Sequence, residues 1–154
     1  MQPVTLEDIN DAAKLLDGVI KKTPSISAGW IEKKYGVDVT FKCENLQRAG
    51  SFKIRGAYNR IARLTTEPRS KGVVAASAGN HAQGVALAAQ ILGIKATIFM
   101  PEGATLPKYQ ATLGYGADVI FSGKTIDEAL MAASAFSDET GAVFIHPFDH
   151  EHIV

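Results

Sequence analysis

The fold is decided by residues 72–93, which read GVVAASAGNHAQGVALAAQILG. Apolar residues over 72–76 have the length of a buried strand, and three small residues follow them. A helical pattern then runs over Asn80–Leu92, and Gly93 is a suitable residue for ending it. The segment therefore predicts a strand, a tight turn and a helix, which together begin a βαβ unit.

The same unit recurs along the rest of the chain. Candidate strands, roughly 23 residues apart as expected for a short strand plus a crossover helix, begin near Val73, Ala96, Ala117 and Ala142. The helices between them are predicted over residues 80–92, 106–113 before Gly114, and 125 to about 137. The series predicts an α/β fold, a small doubly wound parallel four-stranded sheet with flanking helices.

The chain before residue 53 has a different pattern. Thr5 is a candidate N-cap of a first helix, and a short second helix is predicted over about 27–36. Alternating polarity over 39–43 predicts a strand with one face buried. Ser51 is a candidate N-cap of a third helix that carries Lys53 in its first turn.

Composition excludes several classes of protein. Of 154 residues, 46% are hydrophobic and 21% charged, and 16 basic residues balance 16 acidic ones. This balance gives no field that attracts nucleic acid or an acidic membrane surface. No apolar run has the length of a membrane span, and Cys43 is the sole cysteine, so no internal disulfide can form. We expect a cytoplasmic protein without nucleic-acid or membrane partners.

Lys53 is out of place as an ordinary surface residue. A lysine in the first turn of a helix meets the positive end of the helix dipole, which is unfavourable by roughly 0.3 to 1 kcal/mol. The same field, together with Arg48 and Arg55, would favour the neutral amine that attacks carbonyl carbons. This suits a Schiff-base lysine, although a lone lysine more often points to solvent.

The turn after the first strand of the series is a candidate anion site. Residues 77–79 are small, and they lead into the N-terminus of a helix, where backbone amides bind carboxylates or phosphates. Asn80 is either an N-cap or a cofactor ligand on this evidence, and His81 alone is more often structural. The turn matches neither the phosphate-loop nor the dinucleotide motif.

Four stretches carry a resemblance to a known family. They are KCENLQRAGSFKIRGA (42–57), SAGNHAQGVA (77–86), IFMPEGATLPKYQATLGYGADVI (98–120) and HPFD (146–149). In this order they resemble the serine/threonine dehydratases, threonine dehydratases above all, within the tryptophan-synthase-β-like pyridoxal-phosphate enzymes. The resemblance implies conversion of threonine or serine, a small-molecule amino acid, to a 2-oxo acid and ammonia, in isoleucine biosynthesis or threonine catabolism.

The resemblance also implies roles for individual residues. Lys53 would form the Schiff base with pyridoxal phosphate and move the α-proton of the substrate, and Phe52 would pack against the cofactor ring. Asn80 would bind the ring hydroxyl of the cofactor. The substrate carboxylate would be held by Ser77, Gly79, Asn80 and His81.

Two departures from the family pattern leave alternatives open. Ala49 replaces a common threonine, and the glycine-rich phosphate loop of the family has no counterpart before Val154. Residues 1–52 would then be an incomplete part of a large domain and 53–154 a small α/β domain, so an inactive module is one alternative. Racemisation of serine or β-replacement is another, which Ala78 opposes because related racemases often have serine there. We expect a homo-oligomer for the full-length enzyme.

A metal site is not expected. His146, His150 and His152 are close in sequence, but no matching carboxylate or cysteine spacing accompanies them.

Overall fold

A computed structural model describes residues 3–153 of the chain. The helices are α1 Leu6–Leu15, α2 Gly29–Tyr35, α3 Lys53–Ala62, α4 Thr66–Lys71, α5 Asn80–Leu92, α6 Leu106–Gly114 and α7 Ile126–Thr140. The strands are β1 Ser25–Ser27, β2 Thr40–Lys42, β3 Val73–Ala76, β4 Ala96–Met100, β5 Asp118–Phe121 and β6 Val143–Phe144. Two short 3-10 helices, Glu44–Leu46 and Arg48–Gly50, precede α3. None of the helices within residues 3–153 is both long and apolar enough to cross a membrane.

The four later strands form one parallel sheet in the order β5-β4-β3-β6. Every residue of β3 and β4 is buried, as expected for central strands of a parallel sheet that is covered on both faces. The chain moves outward from β3 to β5 and then crosses back to place β6 beside β3. The predicted doubly wound sheet is thus confirmed, and its topological switch point lies between β3 and β6.

Each face of the sheet has its own core. On one face, α3 and α5 bury apolar side chains such as Ile54, Ile61 and Val85 against β3 and β4. On the other face, Ala129 and Ala133 of α7 pack against alternate residues of the same strands. The alternation of side chains along a strand therefore explains why two separate cores arise from one continuous apolar run.

The predicted helices of the series are confirmed, with two corrected ends. Helix α5 has the predicted limits, and Gly93 ends it in the left-handed conformation, with φ of 65°. Helix α7, predicted to start at residue 125, has Thr125 as its N-cap and ends at Thr140, three residues beyond the predicted end. The prediction that Gly114 stops α6 is wrong, because the helix includes Gly114 and Tyr115 caps it in a conformation that needs no glycine.

The N-terminal part differs more from expectation. Strand β2 pairs with β1, which was not predicted, in a two-stranded antiparallel sheet. The prediction of one buried face is wrong: all three residues of β2 are exposed, including Phe41 at 51%. All residues of β1 and β2 are exposed, so the apolar side chains of this small sheet stay in contact with solvent. Helix α4 was also not predicted, and Pro68 lies in its first turn, where proline is tolerated.

Candidate active site

Lys53 is the first residue of α3 and reaches the carboxyl edge of the sheet. Its Nζ donates a hydrogen bond to the carbonyl oxygen of Pro147, at 2.6 Å, in the segment that follows β6. The same ammonium lies 5.2 Å from the centre of the exposed Phe52 ring. Phe52, not Ser51, is the N-cap residue, but the Ser51 hydroxyl still accepts a hydrogen bond from the Lys53 backbone N–H at 3.4 Å.

The positive charge of Arg55 is balanced by a carboxylate partner that the sequence did not reveal. Its Nε and Nη2 each donate to a carboxylate oxygen of Glu44, both at 2.8 Å. The guanidinium holds the pKa of Glu44 down to about 2, with a further contribution from the Thr23 hydroxyl. The positive field that Arg55 was expected to exert on Lys53 is therefore offset by an adjacent negative charge.

The turn after β3 presents an open helix N-terminus. Gly79 is the N-cap of α5, and no side chain caps the helix there. The Ser77 hydroxyl accepts a hydrogen bond from the Gly79 N–H at 3.0 Å, which holds the turn in shape. Asn80 is exposed and is the first helical residue, so the N-cap interpretation of this residue is wrong. Amides at an uncapped N-terminus can bind an anion.

The His81 side chain forms a hydrogen bond between the segments that follow β3 and β6. Its Nε2 lies 2.9 Å from the carbonyl oxygen of Ile145, just after β6, while the histidine itself is in the first turn of α5 after β3. Burial lowers the pKa of His81 to about 4, and the ring is therefore neutral at pH 7. A neutral ring must carry its proton on Nε2 to donate to a carbonyl, which fixes the tautomer. The structural interpretation of the His81 side chain fits this contact.

Gly84 allows α5, the helix that follows the turn at Ser77, to lie close to Lys53 of α3. A Cβ added to Gly84 would lie 3.0 Å from the carbonyl carbon of Lys53 and 3.1 Å from its Cβ. Helices α3 and α5 can thus approach closely only because residue 84 has no side chain. A cavity of about 440 Å³ beside this contact is lined by Phe52, Lys53, His81 and Pro147 among others.

Two neighbours of the site were missed by sequence reasoning. A Cβ placed on Gly79 would lie 3.4 Å from Nζ of Lys108, so a second lysine stands over the N-terminus of α5. Lys108 belongs to the first turn of α6, after the neighbouring strand β4. Loops that follow adjacent parallel strands meet at one edge of a sheet. The position of Lys108 after β4 could therefore have predicted that it lies near the turn after β3. The Pro147 carbonyl, a backbone group, left no signal.

Two of the three C-terminal histidines accept hydrogen bonds from backbone N–H groups close in sequence. His146 Nδ1 accepts the backbone N–H of Asp149 at 2.7 Å, and His150 Nδ1 accepts that of His152 at 3.1 Å. Over the described part of the chain, no group of three or more histidine, cysteine or acidic side chains is arranged to hold a metal ion.

The fold and the site together define an α/β domain with a partly buried lysine at its topological switch point. The family model described as "Pyridoxal-phosphate dependent enzyme" matches residues 16–154. The chain belongs to this family, whose members use pyridoxal phosphate, as the resemblance implied.

Individual relatives agree with this assignment. The chain is 53% identical to an L-threonine ammonia-lyase of Thermotoga maritima, over 98% of this chain and 38% of that protein. Among solved structures, maize serine racemase matches with a TM-score of 0.93 and 39% identity, over 99% of this chain and 46% of that one. Threonine deaminase isoform 2 of Solanum lycopersicum matches with a TM-score of 0.88 and 40% identity, over 96% and 41%. The chain spans less than half the length of these relatives.

The residues around Lys53 fit the cofactor of the family. The amine is partly buried, and its hydrogen bond among the described residues goes to a neutral carbonyl and not to a carboxylate. The Phe52 ring lies beside the amine. The uncapped backbone amides are at the N-terminus of α5, the helix that contacts Lys53 through Gly84. A lysine that can attack a carbonyl carbon would hold such a cofactor, and an adjacent aromatic ring could pack against its pyridine ring.

Proposed function

We propose that this chain carries the lysine of a pyridoxal-phosphate-dependent dehydratase that converts threonine, or serine, to a 2-oxo acid and ammonia. The observation that supports this most is the Lys53 amine, which lies at the switch point of the sheet with a carbonyl as its hydrogen-bond partner. The threonine ammonia-lyase of Thermotoga maritima, at 53% identity, supports the choice of reaction.

Each residue of the proposed site has a distinct task. Lys53 would hold the cofactor and carry the proton to and from the α-carbon of the substrate, Phe52 would cover the pyridine ring, and Asn80 would bind the ring hydroxyl. The substrate carboxylate would lie at the N-terminus of α5, held by residues 77–81, with His81 contributing its backbone because its ring is bound to Ile145. When bound, the cofactor supplies an electron-accepting ring.

The chain divides most naturally before α3. We propose that residues 1–52 are part of a larger domain and that 53–154 form a small α/β domain. The exposed faces of β1 and β2 support this division, because apolar side chains such as Phe41 and Ile26 are more than half exposed there. The full-length enzyme would be a homo-oligomer.

Racemisation of serine is the second candidate, favoured by the close likeness to maize serine racemase. A racemase must deliver a proton to the face of the α-carbon opposite to the lysine. Ala78, between Ser77 and Gly79 in the turn, has no proton to give. Elimination of water needs no such donor, and the dehydratase is the better match to these side chains.

The proposal is tested by adding pyridoxal phosphate to the chain and measuring both a lysine-bound absorbance band and 2-oxobutanoate formed from threonine. Lys53→Arg should abolish both. Lys95→Arg is the matched control, because Lys95 is exposed and lies at the opposite end of β4. Cofactor binding without product would identify an inactive module, D-serine formed from L-serine a racemase, and an unchanged band in Lys53→Arg would refute the proposal.

A further inference from the structure

A partly buried polar network holds the loop over residues 44–52, which leads to Lys53. Arg55, two residues after Lys53, holds both carboxylate oxygens of Glu44 at 2.8 Å. The Thr23 hydroxyl donates to the same carboxylate at 2.6 Å, and the Lys42 ammonium donates to the Thr23 carbonyl at 2.6 Å. The network thus joins the start of the loop, the first turn of α3 and the segment before β1.

The same loop is fixed at a second point. The Gln47 side chain, which is buried, accepts from the Lys21 N–H and donates to the Lys21 carbonyl, both at 2.9 Å. Within the loop, Ala49 has a φ of 58°, a left-handed conformation that a residue with a Cβ adopts at a cost. A strained residue persists only where its surroundings hold it, so the contacts on both sides must stabilise this path of the chain.

We propose that the Glu44–Arg55 pair, together with Thr23, positions Lys53 by clamping the first turn of α3 to the loop before it. This proposal rests on the proposed function, in which Lys53 is the lysine that holds the cofactor. Arg55 is a positioning residue: its planar fork fixes the orientation of the turn, whereas a single hydrogen bond would leave that turn free to rotate. The low pKa of Glu44, about 2, keeps the pair charged through the neutral range.

The test measures how fast Lys53 in the whole chain reacts with acetic anhydride at pH 7, without cofactor, by mass spectrometry of its peptide. Lys14, whose side chain is 79% exposed, is the internal reference. Arg55→Lys keeps the charge but loses the fork, and the ratio of Lys53 to Lys14 labelling should rise several-fold. Glu44→Gln should raise the ratio similarly. Thr23→Val, close in shape, should raise it less.

The control removes an ion pair elsewhere. Asp118→Asn breaks the exposed contact between Asp118 and Lys95, 3.4 Å long, and should leave the ratio unchanged. All variants are measured well below their Tm, so that global unfolding does not contribute. If Tm falls while the Lys53 to Lys14 ratio stays at the wild-type value in Arg55→Lys and Thr23→Val, the pair is merely structural and the proposal is overturned. The labelling needs no cofactor, so this result stands whether or not the proposed function does.

Discussion

At the scale of the residue, Gly84 sets how closely α5 approaches Lys53. A Cβ at this position would lie 3.0 Å from the backbone of Lys53, which cannot rotate aside as a side chain could. Gly84→Ala should therefore lower the free energy of unfolding by about 1 to 3 kcal/mol, the usual effect of overpacking. Urea denaturation measures it.

Gly114 provides the matched comparison in another helix. A Cβ there meets no described atom within 4 Å, and alanine is the better helix former. Gly114→Ala should leave stability unchanged or raise it by up to about 1 kcal/mol. Equal effects of the two substitutions would mean that the contact with Lys53 is not close-packed.

His81 predicts an acid-sensitive stability. Its pKa is about 4 in the folded chain, because burial disfavours the charged ring, against 6.5 for the free side chain. Protons thus bind the unfolded chain first, and stability is complete above pH 6.5 and falls as the pH drops towards 4. The loss due to His81 should approach about 3 kcal/mol.

Urea unfolding of wild type and His81→Gln across this range measures that loss. Glutamine keeps a donor but cannot be charged, so the variant should lose less stability on acidification than wild type. The lowered pKa values of His150 and His152 act in both proteins and cancel in the difference. Parallel pH curves would contradict the assignment.

At the scale of the element, helix caps offer a direct comparison. Thr125 and Glu128 form a reciprocal capping box at the start of α7, whereas Thr105 at the start of α6 makes no capping hydrogen bond through its side chain. Thr125→Ala should lower the free energy of unfolding by about 1 kcal/mol, and Thr105→Ala by much less. Thermal unfolding of the two variants checks this, and an equal loss would show that the box at α7 adds nothing.

Elements with a strong period could be predicted from sequence, and elements defined by context could not. Helix α5 and the buried strands β3 and β4 follow from apolar patterns and a glycine stop. Strand β1 is only three residues long and has no pattern of its own. The burial of β2 was mistaken because alternation predicts a face suited to burial, while burial itself requires a partner layer.

The residues of the candidate site likewise separate into those that the sequence could predict and those that it could not. Lys53 and the turn at Ser77 could be found because local sequence places them at a helix start and at the end of a strand. The contacts to Pro147, Glu44 and Lys108 bring together residues distant in sequence, and no short motif records such distances. The position of Lys53 at a helix start suggested a Schiff-base lysine without deciding between that role and a solvent-exposed one, and only the family resemblance indicated the cofactor.

At the scale of the whole molecule, the protection of backbone amides against hydrogen exchange should differ between the two sheets. The central strands β3 and β4 are buried on both faces, but β1 and β2 are exposed along their length. Amide hydrogen exchange should therefore be slowest in β3 and β4, near the rate set by global unfolding, and much faster in β1 and β2. Uniform protection would contradict the proposed division of the chain before α3.

The assignment of Lys53 as the cofactor lysine can be tested by locating the residue that the cofactor modifies. The chain has eleven lysines. It is incubated with less than one equivalent of pyridoxal phosphate, reduced with borohydride, digested and analysed by mass spectrometry. The pyridoxyl group is expected on the peptide containing Lys53, with little elsewhere. Modification spread over exposed lysines such as Lys14 and Lys95, with Lys53 no more modified than they are, would contradict it.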